Sequence, residues 1–107
     1  MRPVAKGIAA SGGQARGRAC VMRDKLRPVE PGEVLVTVLT DPVSFADLVE
    51  HAVALVTDLG GLTSHPAILA RELGIPAVVS TRDGTSTIQD GALIMVDGDT
   101  GEVFAVD

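Results

Sequence analysis

The sequence predicts one mixed α/β domain, and three observations predict it. At 107 residues the chain has the length of a single domain. Hydrophobic residues make up 46% of it, with two Phe, no Tyr and no Trp, so the core must be aliphatic. Buried-strand and helix patterns alternate only in the middle, while both ends are β-rich with glycine turns. That arrangement predicts a mixed sheet with short helices over residues 1–107, not a repeating βαβ barrel. No linker, internal repeat or low-complexity segment interrupts it.

The first third reads as β with loops. "GRACVM" (17–22) is an alternating strand in which Cys20 serves as a small buried hydrophobe. "RPVEPGE" (27–33) is a proline-and-glycine turn, and "VLVTVL" (34–39) is apolar and β-branched enough for a buried strand. A helix follows, capped by Asp41 and opened by Pro42, whose missing N–H costs nothing there. Val43, Leu48, Val49 and Ala52 form its apolar stripe, and His51 falls on its solvated side. "AVALVT" (52–57) is a second buried strand that leads into Gly60-Gly61. "HPAILAREL" (65–73) is a second helix, stopped by Gly74 in a left-handed cap with Pro76 just beyond. A short strand "AVVS" (77–80), a polar stretch "TRDGTSTIQDGA" and a hairpin with Asp-Gly and Thr-Gly turn chemistry complete the chain.

Composition excludes several function classes. The net charge of −5 argues against nucleic-acid or anionic-membrane partners, which need clustered Lys and Arg. Aromatic platforms for single-stranded nucleic acid are missing. One cysteine allows neither an internal disulfide nor a Cys-rich zinc site. No stretch reaches the roughly 20 apolar residues of a membrane span, and no signal-peptide pattern opens the sequence. The expected location is the cytoplasm.

Chemistry concentrates in "GGLTSHPAILARELGIP" (60–76). With Thr63 or Ser64 as helix cap, His65 lies in the first turn, among unpaired N–H groups at the positive end of the dipole. That potential disfavours imidazolium, so a neutral, nucleophilic ring is expected near neutral pH. The same helix end stabilises an anion, so a phosphoryl group on the ring would meet N–H donors. Gly60 and Gly61 keep the approach open and permit unusual backbone angles. The structural reading is equally available locally: Ser and Thr caps after glycine are common, and Arg71 and Glu72 suit any exposed last turn.

Other chemistries fit less well. His51, His65 and Cys20 have no zinc-ligand spacing, so no metal site is expected. No G-x-x-x-x-G-K-[ST] loop is present to bind ATP. Ser64 and His65 are adjacent and do not face each other as a nucleophile–base pair. "GIAASGGQARG" lacks the strand-to-helix setting of a dinucleotide fingerprint.

"GGLTSHPAILARELGIPAVV" (60–79) closely resembles the phosphohistidine signature of the phosphoenolpyruvate-utilising enzymes, the group of pyruvate phosphate dikinase, phosphoenolpyruvate synthase, enzyme I and rifampin phosphotransferase. "KGIAASGGQARGRACV" (6–21) is similar to the family's opening segment, "GEVLVTVLTDPVSFADL" (32–48) to its strand, Thr-x-Pro and helix, and "DGALIMVDGDTGEV" (90–103) to its closing hairpin. The resemblance runs over nearly the whole chain, in order. It implies the swivelling β/β/α fold and a phosphoryl-accepting role for His65. It also implies a phosphate-loop role for Gly60, Gly61, Thr63 and Ser64, and a supporting role for Arg71.

Two departures qualify what the resemblance implies. Pro66 stands where a small residue, often Ala, commonly follows the histidine, which leaves the helix intact but removes one N–H. Family enzymes also join this domain to an ATP-binding domain, a phosphoenolpyruvate-binding barrel, or both, and 107 residues cannot hold either. The expectation is therefore a free-standing phosphocarrier that binds no cofactor alone. Partner subunits would bring the donor site, with Mg²⁺ and ATP or phosphoenolpyruvate. The competing expectations are a non-catalytic binding or regulatory module that keeps the swivelling fold, and a purely structural domain.

Overall fold

The computed structural model describes residues 1–23, 27–38 and 42–106, with the side chains of 42–45 outside that description. Eight strands and three helices follow in the order β1 (Arg2–Lys6), β2 (Ile8–Ser11), β3 (Gln14–Met22), β4 (Val34–Thr37), α1 (Pro42–Val49), β5 (Ala54–Thr57), α2 (His65–Leu73), β6 (Ala77–Val79), α3 (Gly84–Thr87), β7 (Leu93–Asp97) and β8 (Glu102–Ala105). This is the expected α/β class with a mixed sheet and short helices.

The strands form one sheet in the order β1-β8-β7-β3-β4-β5-β6-β2. Its centre, β3-β4-β5-β6, is parallel, and every other pairing is antiparallel. The two outermost strands, β1 and β2, are consecutive in sequence and separated by Gly7 alone. The sheet therefore curls until its two edges share one stretch of chain. β3 makes the opposite corner: Gln14–Arg18 pair with β7, and Ala19–Met22 pair with β4. Both corners depend on close backbone approach. A Cβ at Gly7 would stand 2.3 Å from the Val79 carbonyl oxygen, and one at Gly17 would stand 2.3 Å from that of Gly32.

Strand alternation then sorts the core into two layers. Val34, Val36, Ala54, Val56 and Val78 meet Ile94, Val96 and Val103 between the two halves of the sheet. Cys20, Met22, Leu35, Leu55 and Val79 point the other way, onto Val49 of α1 and Ala67 and Ala70 of α2. Sheet, sheet and helix layers stack as the β/β/α expectation requires. Both crossover helices pack on one face, so the loops at the carboxyl ends of β5 and β6 open on the same end of the molecule.

The structure adjusts several sequence-based boundaries. β3 begins at Gln14 rather than at residue 17, because Gln14–Arg16 find antiparallel partners in β7. β5 begins at Ala54 rather than at residue 52, because the Ala52 N–H turns back to the Val49 carbonyl at 3.0 Å. His51 lies just beyond α1 and is exposed, while Leu48, Val49 and Ala52 are at least partly buried, as the apolar stripe requires. The polar stretch 81–92 contains the short helix α3. The expected cap Asp41, the Thr-x-Pro threonine and the side chain of Val43 lie outside the described residues, as does the end of the strand expected to reach residue 39.

Candidate functional site

The loop between β5 and α2 carries the expected site. It leaves β5 at Thr57, whose hydroxyl donates to the Leu59 carbonyl at 2.6 Å and turns the chain at once. Gly60 sits at φ 114, a conformation that favours glycine, and a Cβ there would approach the Ser64 hydroxyl to 3.0 Å. A Cβ at Gly61 would meet nothing within 4 Å, so this glycine leaves open space beside the loop. α2 then starts at His65, with Pro66 in its first turn and Gly74 at φ 72 as the left-handed C-cap.

Ser64 occupies the N-cap position in extended conformation, but its hydroxyl makes no capping bond. It donates instead to the Gly61 carbonyl at 2.7 Å, and the Ser64 N–H reaches the same oxygen at 3.1 Å. The hydroxyl therefore shapes the glycine turn and does not cover the first-turn amides. Thr63 and His65 are exposed on this end, with the buried Pro66 and Ala67 fixing the helix to the core below. Gly60, Gly61, Thr63, Ser64 and His65 thus form one continuous rim.

Arg71 joins them from the far end of the helix. Its side chain runs back along α2, as long helical side chains do. Nη2 donates to the Leu62 carbonyl at 2.6 Å, and Nη1 donates to the Ala10 carbonyl at 2.8 Å. Ala10 lies where the β2–β6 register shifts, between the pairs Ala9↔Val78 and Ser11↔Ala77. One guanidinium thus clamps the histidine loop to a sheet edge at an irregular point of its ladder.

Sequence reasoning missed Asp58. Its carboxylate is 6% exposed and accepts the Thr85 N–H at 2.9 Å and the Thr85 hydroxyl at 2.6 Å. Arg23 holds the carbonyl of the same Thr85 through Nε and Nη2. Asp58 therefore ties the start of the histidine loop to α3, as Arg71 ties its end to β2. An acid two residues before Gly60, directly after the strand Ala54–Thr57, is the signal that was available. His51, just beyond α1, and Cys20, in β3, are not part of this rim. Among the described residues no three His, Cys, Asp or Glu side chains gather as a metal site, and no helix is long and apolar enough to cross a membrane.

Comparison with known proteins settles the family. The mobile domain of PEP-utilising enzymes matches residues 29–101. The chain belongs to that family. The phosphoenolpyruvate synthase of Aeropyrum pernix is 48% identical over 103 residues, which cover 94% of this chain and 12% of that protein. The uncharacterised phosphotransferase YvkC of Bacillus subtilis is 46% identical over 102 residues, again 94% of this chain and 12% of the relative. The PEP-utilising mobile domain seen here thus spans about an eighth of the length of these curated relatives. Among solved structures, Enzyme I (nEIt) superposes with a TM-score of 0.64 at 40% identity, over 72% of this chain and 32% of that one. Aconitase X of Thermococcus kodakaraensis has a TM-score of 0.75 at 23% identity, covering 96% of this chain and 98% of that one, a likeness of fold alone.

Proposed function

We propose that this mobile domain is a phosphocarrier whose His65 accepts a phosphoryl group and passes it to a second site. The observation that carries the reading is the placement of His65. It is exposed at the start of the nine-residue helix α2, whose N-cap Ser64 makes no side-chain capping bond, behind an open glycine turn, in a chain of the PEP-utilising family. In the loading step an unprotonated imidazole nitrogen attacks the donor phosphorus. The N–P bond forms, the bond from phosphorus to the leaving oxygen breaks, and that oxygen keeps the electron pair. In the second step an acceptor attacks the same phosphorus and the imidazole leaves. Gly60, Gly61, Thr63 and Ser64 shape the space around the group, the first turn of α2 faces its negative charge, and Arg71 holds the loop in place.

Phosphoryl transfer requires cationic groups around the transferring oxygens. The described residues do not provide a metal cluster. Mg²⁺ and the donor, ATP or phosphoenolpyruvate, are proposed to be held by other domains or subunits, of the kind that make up the remaining length of the relatives, with which this domain works in the cytoplasm. The alternative, a binding module that keeps the fold but carries no phosphoryl group, predicts no adduct.

The test is intact-mass spectrometry of the chain after incubation with source-cell extract, Mg²⁺ and either ATP or phosphoenolpyruvate, quenched in alkali. An acid-labile phosphoryl adduct on the wild type, absent from His65→Ala, is the expected result and names the donor. No adduct with either donor would move the assignment to the binding module.

A further inference from the structure

The turn that follows β6 lies beside the histidine loop in a conformation that L-residues avoid. Ser80 has φ 58 and Arg82 has φ 70. The Thr81 N–H donates to the Thr57 carbonyl at 3.0 Å, and the Arg82 N–H donates to the Asp58 carbonyl at 2.8 Å. The turn is thus stitched to the two residues that precede Leu59-Gly60. Glycine adopts this backbone region without strain, whereas a side chain destabilises it. Strain of this kind persists only where the surrounding structure holds it in place, and it clusters at functional sites.

The fold gives the Arg82 side chain no task. It is exposed, and among the described residues its guanidinium makes no hydrogen bond or ion pair. The segments 57–64 and 80–85 contain one cation, Arg82, beside Asp58 and Asp83, and the Arg23 guanidinium that reaches this turn is spent on the Thr85 carbonyl. Arg71 is already committed to the Leu62 and Ala10 carbonyls. A chain of net charge −5 approaching a phosphate-bearing donor meets repulsion that a local cation beside the histidine loop would offset.

We propose that Arg82 is this chain's own cationic contact to the docked transfer site, where its guanidinium binds phosphate oxygens of the phosphoryl donor. The inference rests on the phosphocarrier reading and adds a residue to it. A guanidinium suits the role because its planar fork matches two oxygens of one phosphate. Arg82 forms and breaks no covalent bond; it holds charge while the N–P bond to His65 forms.

Strain relief and loss of function make a paired test. Wild type, Arg82→Gly, Arg82→Lys and Ser80→Gly are compared for thermal midpoint and for initial rate of His65 phosphorylation. Source-cell extract with Mg²⁺ and either ATP or phosphoenolpyruvate supplies the donor. Both glycine variants should melt higher, on the order of 4–8 °C. Arg82→Gly should be phosphorylated about 100-fold more slowly, the scale of losing one donor to a developing oxyanion. Ser80→Gly should keep the wild-type rate, and Arg82→Lys should recover part of it. The donor whose rate responds identifies which phosphate Arg82 meets. Wild-type rates in Arg82→Gly would overturn the inference while leaving the phosphocarrier reading intact. Absence of any wild-type adduct would overturn both.

Discussion

Removing the Asp58 carboxylate tests how the site is built into the fold. The carboxylate accepts two hydrogen bonds from Thr85, at 2.9 Å and 2.6 Å. The Thr81 hydroxyl also approaches, but at 3.5 Å, and it has a better partner in the Thr57 carbonyl at 3.0 Å, so it adds little. Each bond to a buried charge contributes about 1.5–3 kcal/mol, and recovered desolvation of the carboxylate offsets part of the sum. Asp58→Ala should therefore cost about 3 kcal/mol, and Asp58→Asn, which keeps one acceptor, about 1 kcal/mol. Against a typical total of about 5–15 kcal/mol, the first is a large fraction. Urea unfolding followed by circular dichroism measures it: the Asp58→Ala midpoint should fall by about 1–3 M with an unchanged slope. A loss below about 0.5 kcal/mol, the range of an ordinary surface substitution, would refute the clasp.

Three further outcomes follow from particular contacts. Arg71→Lys keeps the charge but cannot reach both carbonyls, so the Ala10 oxygen loses its partner; a loss of about 1–3 kcal/mol and faster amide exchange over 60–64 are expected, and unchanged exchange would rule the clamp out. Cys20 is fully buried and burial pushes its thiol from 9.0 up to about 11. It should resist alkylation at mildly alkaline pH until urea unfolds the chain. Because the folded value is the higher one, the stability it contributes is present below pH 9.0 and is lost as pH rises toward 11, so native-state labelling as fast as in urea would contradict the burial. Gly98→Ala would place a Cβ 1.8 Å from the Ser11 carbonyl oxygen, a backbone atom with little freedom to yield. A loss of about 2–3 kcal/mol is expected by thermal melting, and a neutral substitution would show that this close approach is not required.

The legible parts of the fold are those with local causes. α2 runs from His65 to Leu73 as expected, because Pro66 and Gly74 bracket an apolar stripe. β4, β5 and β6 were visible as apolar runs between turn residues. What stayed hidden depends on distant partners. The break at Gly7 between β1 and β2 follows from their pairing with different strands, β8 and β6, at a point where the Val79 carbonyl leaves no room for a Cβ. α3 sits in a stretch whose composition reads as loop, and it is held there by Asp58, 27 residues away. Ser80 and Arg82 show no glycine to announce their left-handed turn. In the candidate site, the shared placement of the glycine pair, Thr63, Ser64 and His65 on one loop and helix start was legible, but the contacts of the Ser64 hydroxyl and the Arg71 guanidinium were not. The Ser64 hydroxyl shapes the turn at Gly61 instead of capping the helix, and this depends on loop geometry that spacing does not encode.

The central claim is that His65 itself carries the phosphoryl group. The most direct measurement is fragmentation mass spectrometry that preserves the N–P bond, applied to the alkali-quenched adduct of the full chain. The account predicts one phosphoryl group, on His65, lost in mild acid and absent from His65→Ala. A phosphoryl group on Thr63, Ser64 or His51, or an adduct that survives in His65→Ala, would contradict it.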